Sequence, residues 1–143
     1  MIVLDTSGLL AAIDSSQRLH AQAARALSDA QPPLLLSPFV LAELDYLLGK
    51  HVGQHAQVAF LAEVEREAYR LESFDAADVA EARLLVEKYR DLSIGLADAS
   101  IAVIATRYGV RDVLTLDERH FRVIVGPGAK AFRLLPADGV RRE

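Results

Sequence analysis

The sequence predicts an α/β fold with a mainly parallel central sheet. Three observations carry this. Short apolar runs of strand length, such as Ile2-Val3-Leu4 and Leu34-Leu35-Leu36, are separated by longer stretches with helical character. Such runs suit strands buried between helices. No repeat, low-complexity segment or linker interrupts the 143 residues, so residues 1–143 read as a single domain with one core.

The elements follow in order. Ile2-Val3-Leu4 is a buried strand, ended by Asp5. Thr6 and Ser7 are good N-caps, and a helix continues through Gly8 to Ile13. A moderately amphipathic helix covers 19–27, and Pro32-Pro33 breaks the chain before the second strand, Leu34-Leu35-Leu36. Ser37-Pro38 opens a third helix, since proline is tolerated in a first turn, and that helix reaches about Gly49. Residues 54–67 read as a helix with Val58, Leu61, Ala62 and Val64 as its apolar positions. A strand is expected over 69–74, then a helix from Ala76 to about Tyr89 capped by Ser73 or Asp75. A helix rich in small residues spans Ile94 to Tyr108 and closes on Gly109. Asp112-Val113-Leu114-Thr115 is the next strand and Phe132-Arg133-Leu134-Leu135 the last.

Composition removes several function classes. An apolar fraction of 52% is enough for a buried core and argues against disorder. The absence of cysteine excludes disulfides, zinc–thiolate sites and thiol nucleophiles, and suits a reducing compartment. Met1-Ile2-Val3-Leu4-Asp5 lacks the basic and apolar regions of a signal peptide, and no apolar stretch approaches the ~20 residues of a membrane span. A cytoplasmic protein is expected. The net charge of −4 is not the basic excess of a general polyanion binder, but acids clustered in one place beside a basic rim would give the same balance.

In an open α/β sheet, ligands bind beyond the carboxyl ends of the strands. Asp5 follows the first strand, and Asp117 follows Val113-Leu114-Thr115 with Leu116 between, so both acids emerge at one edge. Aspartate also favours such turns for local hydrogen bonding. Asp98 has helical neighbours Ile94, Gly95, Ile101 and Ala102, an apolar setting in which an acid must be paired, protonated or metal-bound. It also lies in the first turns of its helix, where the dipole tolerates negative charge. Glu43 and Asp45 both have apolar neighbours, and periodicity does not choose between them. Acids gathered this closely repel one another unless a cation is present. Oxygen ligands without sulfur or clustered histidines select Mg²⁺ or Mn²⁺ over zinc. Residues alone thus reach a possible acidic metal site and metal-assisted phosphodiester chemistry.

Four segments then stand out in order: Val3-Leu4-Asp5-Thr6-Ser7, Ser37-Pro38-Phe39-Val40-Leu41-Ala42-Glu43-Leu44, Leu96-Ala97-Asp98-Ala99 and Leu114-Thr115-Leu116-Asp117-Glu118-Arg119-His120-Phe121. Each is short, but the ordered set resembles the motifs of the PIN-domain family over essentially the whole chain. It is most similar to VapC toxins of type II toxin–antitoxin systems. The resemblance implies an α/β/α sandwich with a parallel sheet surrounded by helices. It implies Asp5, Glu43, Asp98 and Asp117 as the metal-binding, catalytic acids, and so selects Glu43 over Asp45. It further implies a Mg²⁺-dependent endoribonuclease acting on structured RNA, such as transfer RNA or ribosomal RNA loops, that inhibits translation. A homodimer and a VapB-like antitoxin are the implied partners, the antitoxin's C-terminal segment lying in the toxin's groove.

Substrate contacts are less sharply marked. Thr6 and Thr115 carry hydroxyls beside the acids and are candidates for a water or a phosphate oxygen; capping and strand packing are their alternatives. Arg119 and His120 are candidates for RNA phosphate contact, or solvated loop charges. Lys50, His51 and His55 lie near a helix end, where cations suit the dipole. Arg107 and Arg111, flanking Gly109, read as solvated, the four tyrosines mostly as core or interface residues, and Arg141-Arg142 as a tail. A receiver domain would need an acid pair after the first strand, and a haloacid-dehalogenase-type phosphatase a second acid where Ser7 stands. A binding module would be indifferent to Mg²⁺. A DNA or flap nuclease is the rival within the same chemistry.

Overall fold

The computed structural model describes residues 1–139. The tail arginines Arg141 and Arg142 lie outside the described residues. Five strands form one sheet: β1 (Ile2–Leu4), β2 (Leu34–Leu36), β3 (Arg70–Leu71), β4 (Asp112–Leu114) and β5 (Arg133–Leu135). Their order is β3-β2-β1-β4-β5, and every pairing is parallel. Among the described residues there are seven α-helices: α1 (Thr6–Ile13), α2 (His20–Asp29), α3 (Pro38–His51), α4 (Gln54–Glu65), α5 (Ala76–Lys88), α6 (Leu96–Tyr108) and α7 (Glu118–Phe121). All three residues of β1 are buried, so both faces of the central strand are covered. The architecture is the expected α/β/α sandwich.

The strand order creates the site. From β1 the chain first builds outward through β2 to β3, then returns past β1 to build β4 and β5 on the other side. The reversal leaves a crevice at the carboxyl edge where β1 meets β4. Register fixes what faces it: Val3 pairs with Val113 and Leu4 with Leu114, so the residues following both strands emerge together. α6 runs through the core, with every residue from Ala99 to Ala105 buried. Its small residues let it lie close to its neighbours, and Gly109 ends it in the left-handed conformation (φ 65°) that glycine adopts without strain.

The local differences from expectation have physical causes. Thr6 and Ser7 do not cap α1. Asp5 is the N-cap and makes no capping bond, because its carboxylate and the Ser7 hydroxyl are engaged toward β4 instead. Val58 and Leu61 are 60% and 44% exposed, and α4 buries Ala56 and Phe60 instead. The stretch is apolar almost all round, so its phase is set by Phe60 packing on Tyr69, with ring centroids 4.9 Å apart. Only Arg70–Leu71 of the expected strand over 69–74 forms ladder. Asp75, not Ser73, caps α5, in a reciprocal capping box with Asp78. Arg107 is not a solvated charge: it pairs with Glu72 at 3.2 Å and Asp78 at 3.1 Å. Asp45 accepts a hydrogen bond from Gln57 Nε2 at 3.2 Å and ties α3 to α4. The short helix α7 is an element that the pattern did not predict.

Candidate active site

Asp5 sits at the head of the crevice, 5% exposed. Its backbone N–H donates to Leu114 O at 3.0 Å, which locks the end of β1 to the end of β4. Two hydroxyls then converge on its Oδ2: Thr115 Oγ1 donates at 2.6 Å and Ser7 Oγ at 2.9 Å. Each hydroxyl also accepts a backbone N–H from the loop after β4, Thr115 from Asp117 and Ser7 from Leu116, both at 2.9 Å. One carboxylate, two hydroxyls and the β4 loop thus form a single network. Gly8 makes it sterically possible: a Cβ there would lie 2.5 Å from Leu114 O. Thr6, next to Asp5, has a buried hydroxyl oxygen with no hydrogen-bond partner among the described residues.

Asp98 and Asp117 approach from the other side. Asp98 lies in the first turn of α6, which starts at the same edge. That start is tied to β2 by a buried bond of 2.7 Å between Ser37 Oγ and Ser100 Oγ; Ser100 also donates to Ala97 O, and Ser37 accepts from Phe39 N. Asp117 caps α7, its Oδ1 accepting His120 N at 3.0 Å. The His120 ring fills the space between the two acids. Its Nδ1 stands 3.0 Å from Asp98 Oδ2 and 3.0 Å from Asp117 Oδ2, and its Nε2 lies 3.1 Å from Leu92 O. Ligand atoms of Asp98, Asp117 and His120 all lie within 4.8 Å of one another.

The electrostatics bear the mark of clustered acids. Burial pushes the Asp5 carboxyl up to about 6, against the hydrogen bonds from Thr115 and Ser7 that hold it down; the nearby Asp98 charge raises it further. Burial also raises Asp98, opposed by His120 and reinforced by Asp117. Two half- to fully-buried carboxylates with raised pKa, facing a third, form a site whose charge a divalent cation would neutralise. The donor set of Asp98 and Asp117 carboxylate oxygens and one His120 nitrogen fits such an ion.

The structure thus brings Asp5, Asp98, Asp117 and Thr115 together. Glu43 lies on α3, exposed, and makes no hydrogen bond or ion pair among the described residues. Arg119 is exposed on α7. His120 is turned inward onto two acids rather than outward to solvent. By sequence Ser7 reads as a helix cap and not as a site residue; the signal lay in a hydroxyl two residues after a strand-terminal aspartate.

The family model for the PIN domain matches residues 2–126, and the chain belongs to the PIN-domain family. Within that family it is similar to a VapC ribonuclease. It is 40% identical over 135 residues to ribonuclease VapC26 of Mycobacterium tuberculosis, covering 94% of this chain and all of that protein. The fold is shared with the crystal structure of Mycobacterium tuberculosis VapC20, a sarcin–ricin loop cleaving toxin (TM-score 0.76, 24% identity, 82% of this chain and 90% of that one). It is also shared with a chain of VapBC2 from Rickettsia felis bound to a DNA fragment from their promoter (TM-score 0.64, 22% identity, 94% and 98%).

Proposed function

We propose that this chain is the toxin of a type II toxin–antitoxin pair, a metal-dependent endoribonuclease acting in the cytoplasm on structured RNA and thereby inhibiting translation. The single observation that carries the reading is the clustering of Asp98 and Asp117 with His120, with Asp5 close enough to Asp98 for their charges to interact, in a chain 40% identical to a ribonuclease. Residues 1–143 read as a single PIN-like ribonuclease domain. A VapB-like antitoxin is its neutralising partner, and a homodimer its working assembly.

Asp5, Glu43, Asp98 and Asp117 would hold Mg²⁺, with Mn²⁺ as the alternative ion. When bound, such an ion supplies a water of lowered pKa and Lewis-acid stabilisation of the phosphoryl transition state. The remaining work belongs to the chain. Thr115 and Ser7 fix the rotamer of Asp5 and favour its ionised form. The start of α6 and the cap of α7 aim Asp98 and Asp117 at the same point. Thr6 offers its free hydroxyl to a water or a phosphate oxygen. Arg119, exposed on α7, would meet RNA phosphate.

The test is cleavage of total RNA by purified, antitoxin-free protein, in Mg²⁺ or EDTA, by wild type and Asp98→Asn. Discrete fragments that need both Mg²⁺ and Asp98 are expected, and end-mapping names the target. Folded wild type that leaves RNA intact in Mg²⁺ would refute the reading in favour of a DNA nuclease or a binding module.

A further inference from the structure

Resting on the metal-centre reading above, we propose that His120 is itself a ligand of the ion, its Nδ1 sharing one divalent cation with Asp98 and Asp117. The orientation of the ring points this way first. Leu92 O can only accept, so the ring hydrogen that serves it sits on Nε2. Nδ1 is then the nitrogen presented to Asp98 Oδ2 and Asp117 Oδ2. A ring whose second nitrogen donates to a backbone carbonyl is the usual arrangement of a metal-binding histidine, because that bond fixes tautomer and direction.

The spacing agrees. Neighbouring donors around an octahedral ion with bonds near 2.1 Å stand about 3 Å apart. Nδ1 stands 3.0 Å from each carboxylate oxygen, a distance that an N–H···O hydrogen bond gives as well, so direct ¹⁴N coupling is what separates ligand from hydrogen-bond partner. The ring is also held in advance: its backbone N–H is taken by Asp117 Oδ1 at 3.0 Å, and the side chain is only 18% exposed. A solvated loop histidine would have none of these restraints.

The consequence is selectivity. A purely carboxylate site is at home with Mg²⁺, whereas one imidazole donor shifts preference toward Mn²⁺ and later first-row ions. The other histidines, His20, His51 and His55, lie outside the group of potential ligands.

Pulsed electron paramagnetic resonance of Mn²⁺ added to the purified, antitoxin-free protein decides the matter. A directly bound imidazole gives ¹⁴N coupling. The coupling is expected in wild type and in His51→Ala, and absent in His120→Ala. Mn²⁺ affinity by titration should fall at least about tenfold in His120→Ala, with a narrower Mn²⁺-over-Mg²⁺ preference. Mn²⁺ that binds wild type, weakens in Asp98→Asn and shows no ¹⁴N coupling overturns the role of His120 and leaves the acidic centre standing. Mn²⁺ that fails to bind wild type, or binds Asp98→Asn equally well, overturns both. The wild-type spectrum suffices even if His120→Ala fails to fold.

Discussion

Thr115 Oγ1 donates a 2.6 Å hydrogen bond to Asp5 Oδ2, bridging the ends of two strands that are 110 positions apart in the chain. The same oxygen accepts Asp117 N, so one hydroxyl sets the position of two acids. Thr115→Val keeps the shape and the strand preference but removes both bonds. Stability should drop by about 1–3 kcal/mol, the cost of leaving buried polar groups unpaired. The lost donor also raises the Asp5 pKa, so cleavage should fall more at pH 6.5 than at pH 8.5. A pH–rate profile checks this: an unchanged profile would mean that the hydroxyl only packs.

The raised pKa of Asp5 makes the metal-free protein sensitive to pH in a stated direction. The native carboxyl titrates near 6 and its ordinary value is 3.8, so between those values the folded state holds more protons than the unfolded one. Stability therefore falls as pH rises through that window, and the full penalty, on the order of 3 kcal/mol, persists above it. Asp5→Asn removes the charge while its carbonyl still accepts from Thr115 and Ser7. In EDTA it should be more stable than wild type by about 1–3 kcal/mol at pH 7.5 and nearly equal at pH 4. Urea unfolding at the two pH values measures it. Mg²⁺ should stabilise wild type at pH 7.5 but not the variant. A variant destabilised at both values would show that burial of Asp5 is not the dominant influence.

Gly8 holds α1 against β4 with no room to spare. A methyl group there would lie 2.5 Å from Leu114 O and 2.8 Å from Leu114 Cγ. Leu114 O also accepts Asp5 N, so the strand end cannot retreat without loosening the crevice. Gly8→Ala should cost about 1–3 kcal/mol despite its better helix propensity, and cleavage should fall with it. Thermal unfolding of the variant at or above the wild-type temperature would contradict the close approach.

Much of this arrangement was legible in the chain because it rests on local chemistry. Apolar triplets such as Ile2-Val3-Leu4 and Leu34-Leu35-Leu36 have few alternatives to a buried strand, and Asp5, directly after the first of them, must emerge at the sheet edge. Asp98 was legible because its helical neighbours are apolar. The phase of α4 was not, because Ala56, Val58, Ala59, Phe60, Leu61 and Ala62 give an apolar stripe on almost every side. Nor was the inward turn of His120. It depends on a four-residue helix begun by the Asp117 cap and on the Leu92 carbonyl, 28 positions earlier, which no local pattern brings near. The Thr115–Ser7–Asp5 network escaped for the same reason: strand pairing creates it.

Glu43 and Asp45 stand two positions apart on α3 with equally apolar helical neighbours, and the structure separates their surroundings. Asp45 is half-buried and accepts from Gln57 Nε2, a tie between two helices. Glu43 is exposed and makes no side-chain bond among the described residues, which suits a group reserved for an ion or a substrate. Opposite phenotypes follow. Asp45→Ala should cost about 0.5–1.5 kcal/mol in stability, the ordinary worth of one hydrogen bond, and leave RNA cleavage near wild type. Glu43→Gln should leave stability unchanged and lower cleavage by about 10²-fold or more, as when one preorganised electrostatic contact to a transition state is lost. Measuring cleavage rates and unfolding midpoints of the two variants side by side is the check. If Asp45→Ala loses cleavage while Glu43→Gln keeps it, the fourth acid of the site has been assigned to the wrong face of α3.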